Sequence, residues 1–78
     1  MKKISLKLDT PNKITDFMLA MNNFHTTDEY CLINNQGGLV DAKSTLSVVY
    51  AGVAFDKIFL VNRTNDGVFP PFIDQFKE

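Results

Sequence analysis

The feature that most constrains the fold is a short glycine-containing turn between two apolar runs. Residues 30–33 read YCLI, residues 35–38 read NQGG, and residues 39–42 form a second run. This pattern predicts a β-hairpin, because glycine readily adopts the positive φ that tight turns require. A hairpin joins neighbouring antiparallel strands, so we expect the chain to build an antiparallel sheet.

Alternation and capping signals predict a strand and a helix before the hairpin. Residues 3–8 alternate between apolar and polar side chains, which is typical of a half-buried strand. Thr10 is a favourable N-cap and Pro11 suits the first helical position, so a helix is expected over residues 11–24. The apolar stripe of this helix consists of Ile14, Phe17, Met18, Met21 and Phe24.

Similar signals predict a helix, a strand and a second helix after the hairpin. Ser44 is the expected N-cap of a short helix and Gly52 its C-terminal stop. Residues 58–61 predict an apolar strand, and Pro70-Pro71 can begin a last short helix. The side chains expected to point inward from these two helices are Leu46, Val49, Val53, Phe72, Ile73 and Phe76.

These elements predict one α+β domain over residues 1–78. The order β-α-β-β-α-β-α, with one apolar stripe per helix, predicts helices covering one face of a four-stranded antiparallel sheet. Apolar residues make up 45% of the chain, which is typical of a globular domain. We therefore expect an open-faced sandwich.

Composition argues against several classes of function. The formal net charge of −1 disfavours nucleic-acid binding, and no apolar run approaches the roughly 18 residues of a membrane span. The N-terminal residues do not resemble a secretory leader.

The single cysteine, Cys31, offers neither a disulfide nor a metal pair, and a buried inert thiol is expected. We predict a cytoplasmic, non-enzymatic protein without cofactor or metal.

Residues 40–52, VDAKSTLSVVYAG, resemble the regulatory-serine segment of HPr-family phosphocarrier proteins. This family belongs to the phosphoenolpyruvate-dependent sugar phosphotransferase system, and the element order also matches. The resemblance implies an HPr-like open-faced β-sandwich with the sheet order first-fourth-second-third. It further implies that Ser44 is phosphorylated by an HPr kinase. Leu46, Val49 and Tyr50 would then form an exposed face for a protein partner such as a transcriptional regulator.

The family's phosphoacceptor motif, Gly-x-His-Ala-Arg-Pro, is missing from this chain. Thr10 falls where the histidine should be and Asn12 where the arginine should be. A threonine without a neighbouring base is a weak nucleophile, so this stretch is a degenerate phosphoacceptor region. Lys13 and the helix N-terminus leave an anion site conceivable there. The chain is thus similar to the catabolite-repression HPr relatives that lack the acceptor histidine.

Three functions remain open from the sequence. The first is a non-catalytic binding or regulatory module controlled at Ser44, although a plain capping role also explains a serine there. The second is a working phosphocarrier that uses an unexpected acceptor such as His25, otherwise an ordinary histidine near a helix end. The third is an unrelated small α+β fold, ferredoxin-like or ligand-binding. A sheet order other than first-fourth-second-third would contradict the HPr resemblance.

Overall fold

The protein folds into four strands and two α-helices, described for residues 1–78 by a computed structural model. In chain order the elements are β1 (Lys3–Leu6), α1 (Pro11–Asn22), β2 (Tyr30–Ile33), β3 (Leu39–Asp41), α2 (Thr45–Ala54) and β4 (Ile58–Asn62). The strands form one antiparallel sheet in the order β1-β4-β2-β3. The predicted α+β class and the hairpin are therefore confirmed.

Both helices cover the same face of the sheet. Side chains alternate between the two faces of a strand, and Tyr30 and Leu32 of β2 share one buried cluster with Leu60 of β4. Phe17 and Met21 bring α1 into that cluster, and both side chains are fully buried. Val48 and Ala51 are the corresponding contributions of α2. Cys31 and Val61 lie outside this cluster, on the opposite face.

The prediction of a last helix is wrong, because the C-terminal segment forms only one 3₁₀ turn, Ile73–Gln75. The following residues instead pair with the free edge of β1. The Lys7 N–H donates to the Phe76 carbonyl at 2.8 Å, and the Glu78 N–H donates to the Ser5 carbonyl at 3.0 Å. Backbone groups used in this pairing cannot continue a helix. Ile73 and Phe76 are buried as expected.

Three other elements are shorter than predicted. β1 ends at Leu6 rather than at residue 8, α1 ends at Asn22 rather than at residue 24, and β3 ends at Asp41. Side chains beyond the ends of β1 and α1 still pack on the core, because Leu8 is 4% exposed and Phe24 packs against the cluster. Apolar patterning therefore predicts burial beyond the point where regular hydrogen bonding stops.

Gly52 does not end α2, which continues to Ala54 with Phe55 as its C-cap. A Cβ atom at Gly52 would lie 2.5 Å from Cδ1 and 2.8 Å from Cγ1 of Ile14 in α1. Glycine is disfavoured within a helix, but here it allows the backbone of α2 to approach α1 closely. The prediction of a C-terminal stop was wrong because the glycine serves packing between the helices.

Replacing Gly52 by valine is expected to lower the free energy of unfolding by about 1–3 kcal/mol, because the side chain would overpack against Ile14. Urea unfolding followed by circular dichroism measures the change. In an Ile14→Ala background the same substitution should cost clearly less, since the clashing atoms are gone. An equal loss in both backgrounds would contradict the proposed contact.

Candidate functional site

Ser44 caps the N-terminus of α2, as predicted. Its backbone is extended, with φ −89° and ψ 121°, and its Oγ accepts a hydrogen bond from the Ser47 N–H at 3.4 Å. That distance exceeds the usual range for such a bond, so the hydroxyl is weakly engaged. Ser44 is partly exposed. The hydroxyl therefore stabilises the helix start, and the residue that carries it is partly exposed.

α2 exposes an apolar face next to Ser44. We call this face the outer stripe; its members and their exposed fractions are Leu46 (82%), Val49 (42%), Tyr50 (57%) and Val53 (80%). Their spacing of i, i+3, i+4 and i+7 places them on one side of the helix. No residue from Thr45 to Phe55 carries a charge. The outer stripe is thus an uncharged, apolar and exposed surface.

The prediction that Leu46, Val49 and Val53 point inward was wrong. Apolar side chains occupy most positions of α2, so spacing alone does not fix which side is buried. The small residues Ala51 and Gly52 permit the closest approach to the rest of the protein, and the helix turns that side inward. This orientation leaves the larger side chains outside, as the resemblance implies for Leu46, Val49 and Tyr50.

Within the outer stripe, the Tyr50 ring packs against one aromatic neighbour. Its ring lies edge-on to the ring of Phe55, with 5.9 Å between the centroids and 79° between the planes. Phe55 is itself nearly buried, at 9% exposure.

Two hydrogen bonds tie the start of α2 to the end of α1. The Lys43 ammonium donates to the Phe24 carbonyl at 3.0 Å, and the Asn22 amide donates to the Thr45 hydroxyl at 3.4 Å. The two α2-side residues, Lys43 and Thr45, flank Ser44 in the sequence. Sequence reasoning missed these contacts because the paired residues are about twenty positions apart and carry no local signal.

The degenerate phosphoacceptor region lies at the N-terminus of α1. Thr10 is the N-cap, and its hydroxyl accepts from the Lys13 N–H at 3.2 Å. The Lys13 ammonium pairs with the Asp9 carboxylate at 3.2 Å, and the hydrogen bond with Lys13 holds the pKa of Asp9 below its usual value. Asn12 is exposed on the same turn. Lys13, the cation expected to help bind an anion at this helix end, is therefore already paired with Asp9.

His25 lies beyond the opposite end of α1 from Thr10. At the usual helical rise, the twelve residues of α1 separate the two by about 18 Å. His25 is exposed and lines a shallow depression together with Lys43 and Thr26. The structure therefore does not bring the histidine to the degenerate phosphoacceptor region.

Cys31 is buried, at 3% exposure, as predicted. Burial raises the pKa of its thiol, so the reactive thiolate is scarce at neutral pH. No group of three or more His, Cys, Asp or Glu side chains is arranged to hold a metal ion. Neither helix has the length and apolar character needed to cross a bilayer.

Comparison with known proteins finds no matching family model, no matching curated protein and no matching solved structure.

Proposed function

We propose that this chain is an HPr-like, non-catalytic binding module whose outer stripe contacts a protein partner and whose contact is controlled by phosphorylation of Ser44. The observation that carries the proposal is the position of Ser44, a partly exposed residue two positions before Leu46, whose side chain is largely exposed. Phosphate would add close to two negative charges at the border of an uncharged face. Such a change alters which partners that face can accept.

The strand order β1-β4-β2-β3 supports this proposal, since it is the order that the HPr resemblance requires. The N-terminus of α1 supports the non-catalytic part. A phosphocarrier needs a side chain that accepts and releases phosphate, but Thr10 acts as a cap and has a carboxylate, Asp9, beside it. The proposed module therefore signals by binding and does not pass phosphate onward.

The proposed modification is phosphoryl transfer from ATP to the Ser44 hydroxyl by an HPr kinase. The serine oxygen forms a bond to the γ-phosphorus while the bond from that phosphorus to the β–γ bridging oxygen breaks. ADP leaves, and the hydroxyl proton passes to a base of the kinase. Because Ser44 is the N-cap of α2, a phosphate on its hydroxyl would lie near the positive end of the α2 dipole, which favours negative charge.

Incubation with an HPr kinase and ATP is expected to add one phosphate to the parent chain and none to Ser44→Ala. Intact-mass spectrometry reads the result directly. Ser47→Ala is the matched control, because Ser47 lies on the same helix turn but is not the N-cap. It should accept phosphate like the parent. Phosphate on Ser44→Ala, or none on the parent, would contradict the proposed control at Ser44.

The proposed binding face can be tested separately with Leu46→Asp. Leu46 is 82% exposed, so this substitution should leave folding intact while placing a charge in the outer stripe. A catabolite-repression transcriptional regulator that binds the phosphorylated parent should lose at least tenfold in affinity for the phosphorylated variant. Leu19→Asp, at an exposed position on α1, is the control and should bind normally.

A further inference from the structure

The side chain of Lys43 contacts the end of α1, although Lys43 lies next to Ser44 in the sequence. Its ammonium reaches across to the end of α1 and donates to the Phe24 carbonyl at 3.0 Å, in a partly buried setting. The partner is a neutral carbonyl, so the bond is weaker than one to an anion would be. A lysine ammonium on a flexible stem can exchange this acceptor for a better one nearby.

The charges around Ser44 make Lys43 the natural partner of a phosphate there. Asp41 lies three residues earlier, and its carboxylate accepts from the Lys43 N–H at 2.8 Å while its carbonyl accepts from the Ser44 N–H at 3.2 Å. That carboxylate would repel a phosphate. His25 lines the same depression as Lys43, and α2 itself carries no charge. Lys43 is the lysine that directly precedes Ser44 in the sequence, and its long side chain carries the positive charge that a phosphate there could bind.

We propose that Lys43 senses phosphate on Ser44: its ammonium leaves the Phe24 carbonyl and binds the phosphate, which removes one of the two hydrogen bonds between the end of α1 and the start of α2. The inference rests on the proposed function, because it requires a phosphate at Ser44. A charge-assisted hydrogen bond to a dianion is stronger than the bond to a neutral carbonyl, so the exchange is favourable.

The exchange carries the modification beyond α2. The Phe24 ring packs against Tyr30, with centroids 6.0 Å apart, and edge-on against Phe72, with centroids 5.6 Å apart. Phe24 therefore joins the end of α1 to the sheet and to the C-terminal segment. Release of the Phe24 carbonyl by Lys43 leaves this junction with one contact fewer. Phosphate on Ser44 thereby affects a junction that does not belong to α2.

The test uses the full chain made by chemical synthesis with either serine or phosphoserine at position 44 and a ¹³C label at the Phe24 carbonyl. We expect the carbonyl resonance to shift when phosphate is present. We also expect ³¹P titration to place the second phosphate pKa about one unit lower than in a Lys43→Met version. Lys43→Arg, which keeps the charge, should retain the low pKa. Lys57→Met, beyond the other end of α2, should behave like the parent.

Two results would overturn the proposal: a Phe24 carbonyl resonance that phosphate does not move, or an equal phosphate pKa with lysine and methionine at position 43. Amide spectra of each chain establish that it is folded before either reading is taken. Because the phosphate is installed chemically, the outcome does not depend on any kinase. A chain that fails as a kinase substrate but shows both shifts would contradict the proposed function and leave the sensing role of Lys43 intact.

Discussion

Replacing Phe17 by alanine is expected to lower the free energy of unfolding by about 3–5 kcal/mol. Phe17 is fully buried, and its ring lies edge-on to Phe76 with 5.2 Å between the centroids. The substitution leaves a cavity between α1, the sheet and the C-terminal segment. A domain of this length has a total stability of roughly 4–12 kcal/mol, so the variant should be close to unfolding at room temperature.

Urea unfolding followed by circular dichroism at 222 nm suits this chain, which contains no tryptophan for fluorescence. Leu19→Ala is the matched control, because Leu19 lies on the same helix but is half exposed. It should change stability by less than about 0.5 kcal/mol. Similar midpoints for Phe17→Ala and the parent would mean that α1 does not pack as described.

Replacing Asn62 by alanine should cost about 3 kcal/mol, an unusually large effect for a polar residue. Asn62 is 1% exposed, and its amide nitrogen donates to the Asp28 carboxylate and to the Val68 carbonyl, both at 2.9 Å. Its oxygen accepts from the N–H groups of Thr64 and Asn65 at 3.0 and 2.9 Å. Alanine would leave buried polar groups unpaired and release the loop after β4.

The control for this prediction is Asn65→Ala. Asn65 is exposed and contributes one side-chain bond, at 2.8 Å, to the same Asp28 carboxylate. Its loss should cost at most about 1 kcal/mol. Hydrogen exchange of the loop amides gives a second reading, since exchange should accelerate in Asn62→Ala. Equal costs for the two variants would indicate that burial of Asn62 contributes little.

Local signals predicted the elements that depend on local contacts. The hairpin was placed correctly because a turn and its two apolar runs lie within a dozen residues. Both helix starts were correct because Thr10 and Ser44 act on backbone groups three residues away. The capping role of Ser44 followed from the same short segment, whereas the apolar spacing of that segment wrongly placed Leu46, Val49 and Val53 inward.

The errors arise where distant residues decide the outcome. The burial of α2 depends on a close approach between Gly52 and Ile14, which spacing within α2 cannot reveal. The C-terminal segment gives up a helix in order to pair with β1, about seventy residues away. The bond from Lys43 to the Phe24 carbonyl, on which the sensing proposal depends, is likewise a product of tertiary structure.

The central position of β4 has a consequence for the order of folding during synthesis. β4 pairs with β1 on one side and with β2 on the other, yet it is the last strand to leave the ribosome. Until it emerges, β1 and the hairpin have no shared partner, and their apolar faces stay open to chaperones. We expect the nascent chain to remain largely unfolded until residue 62 is outside the tunnel and then to fold in one cooperative step.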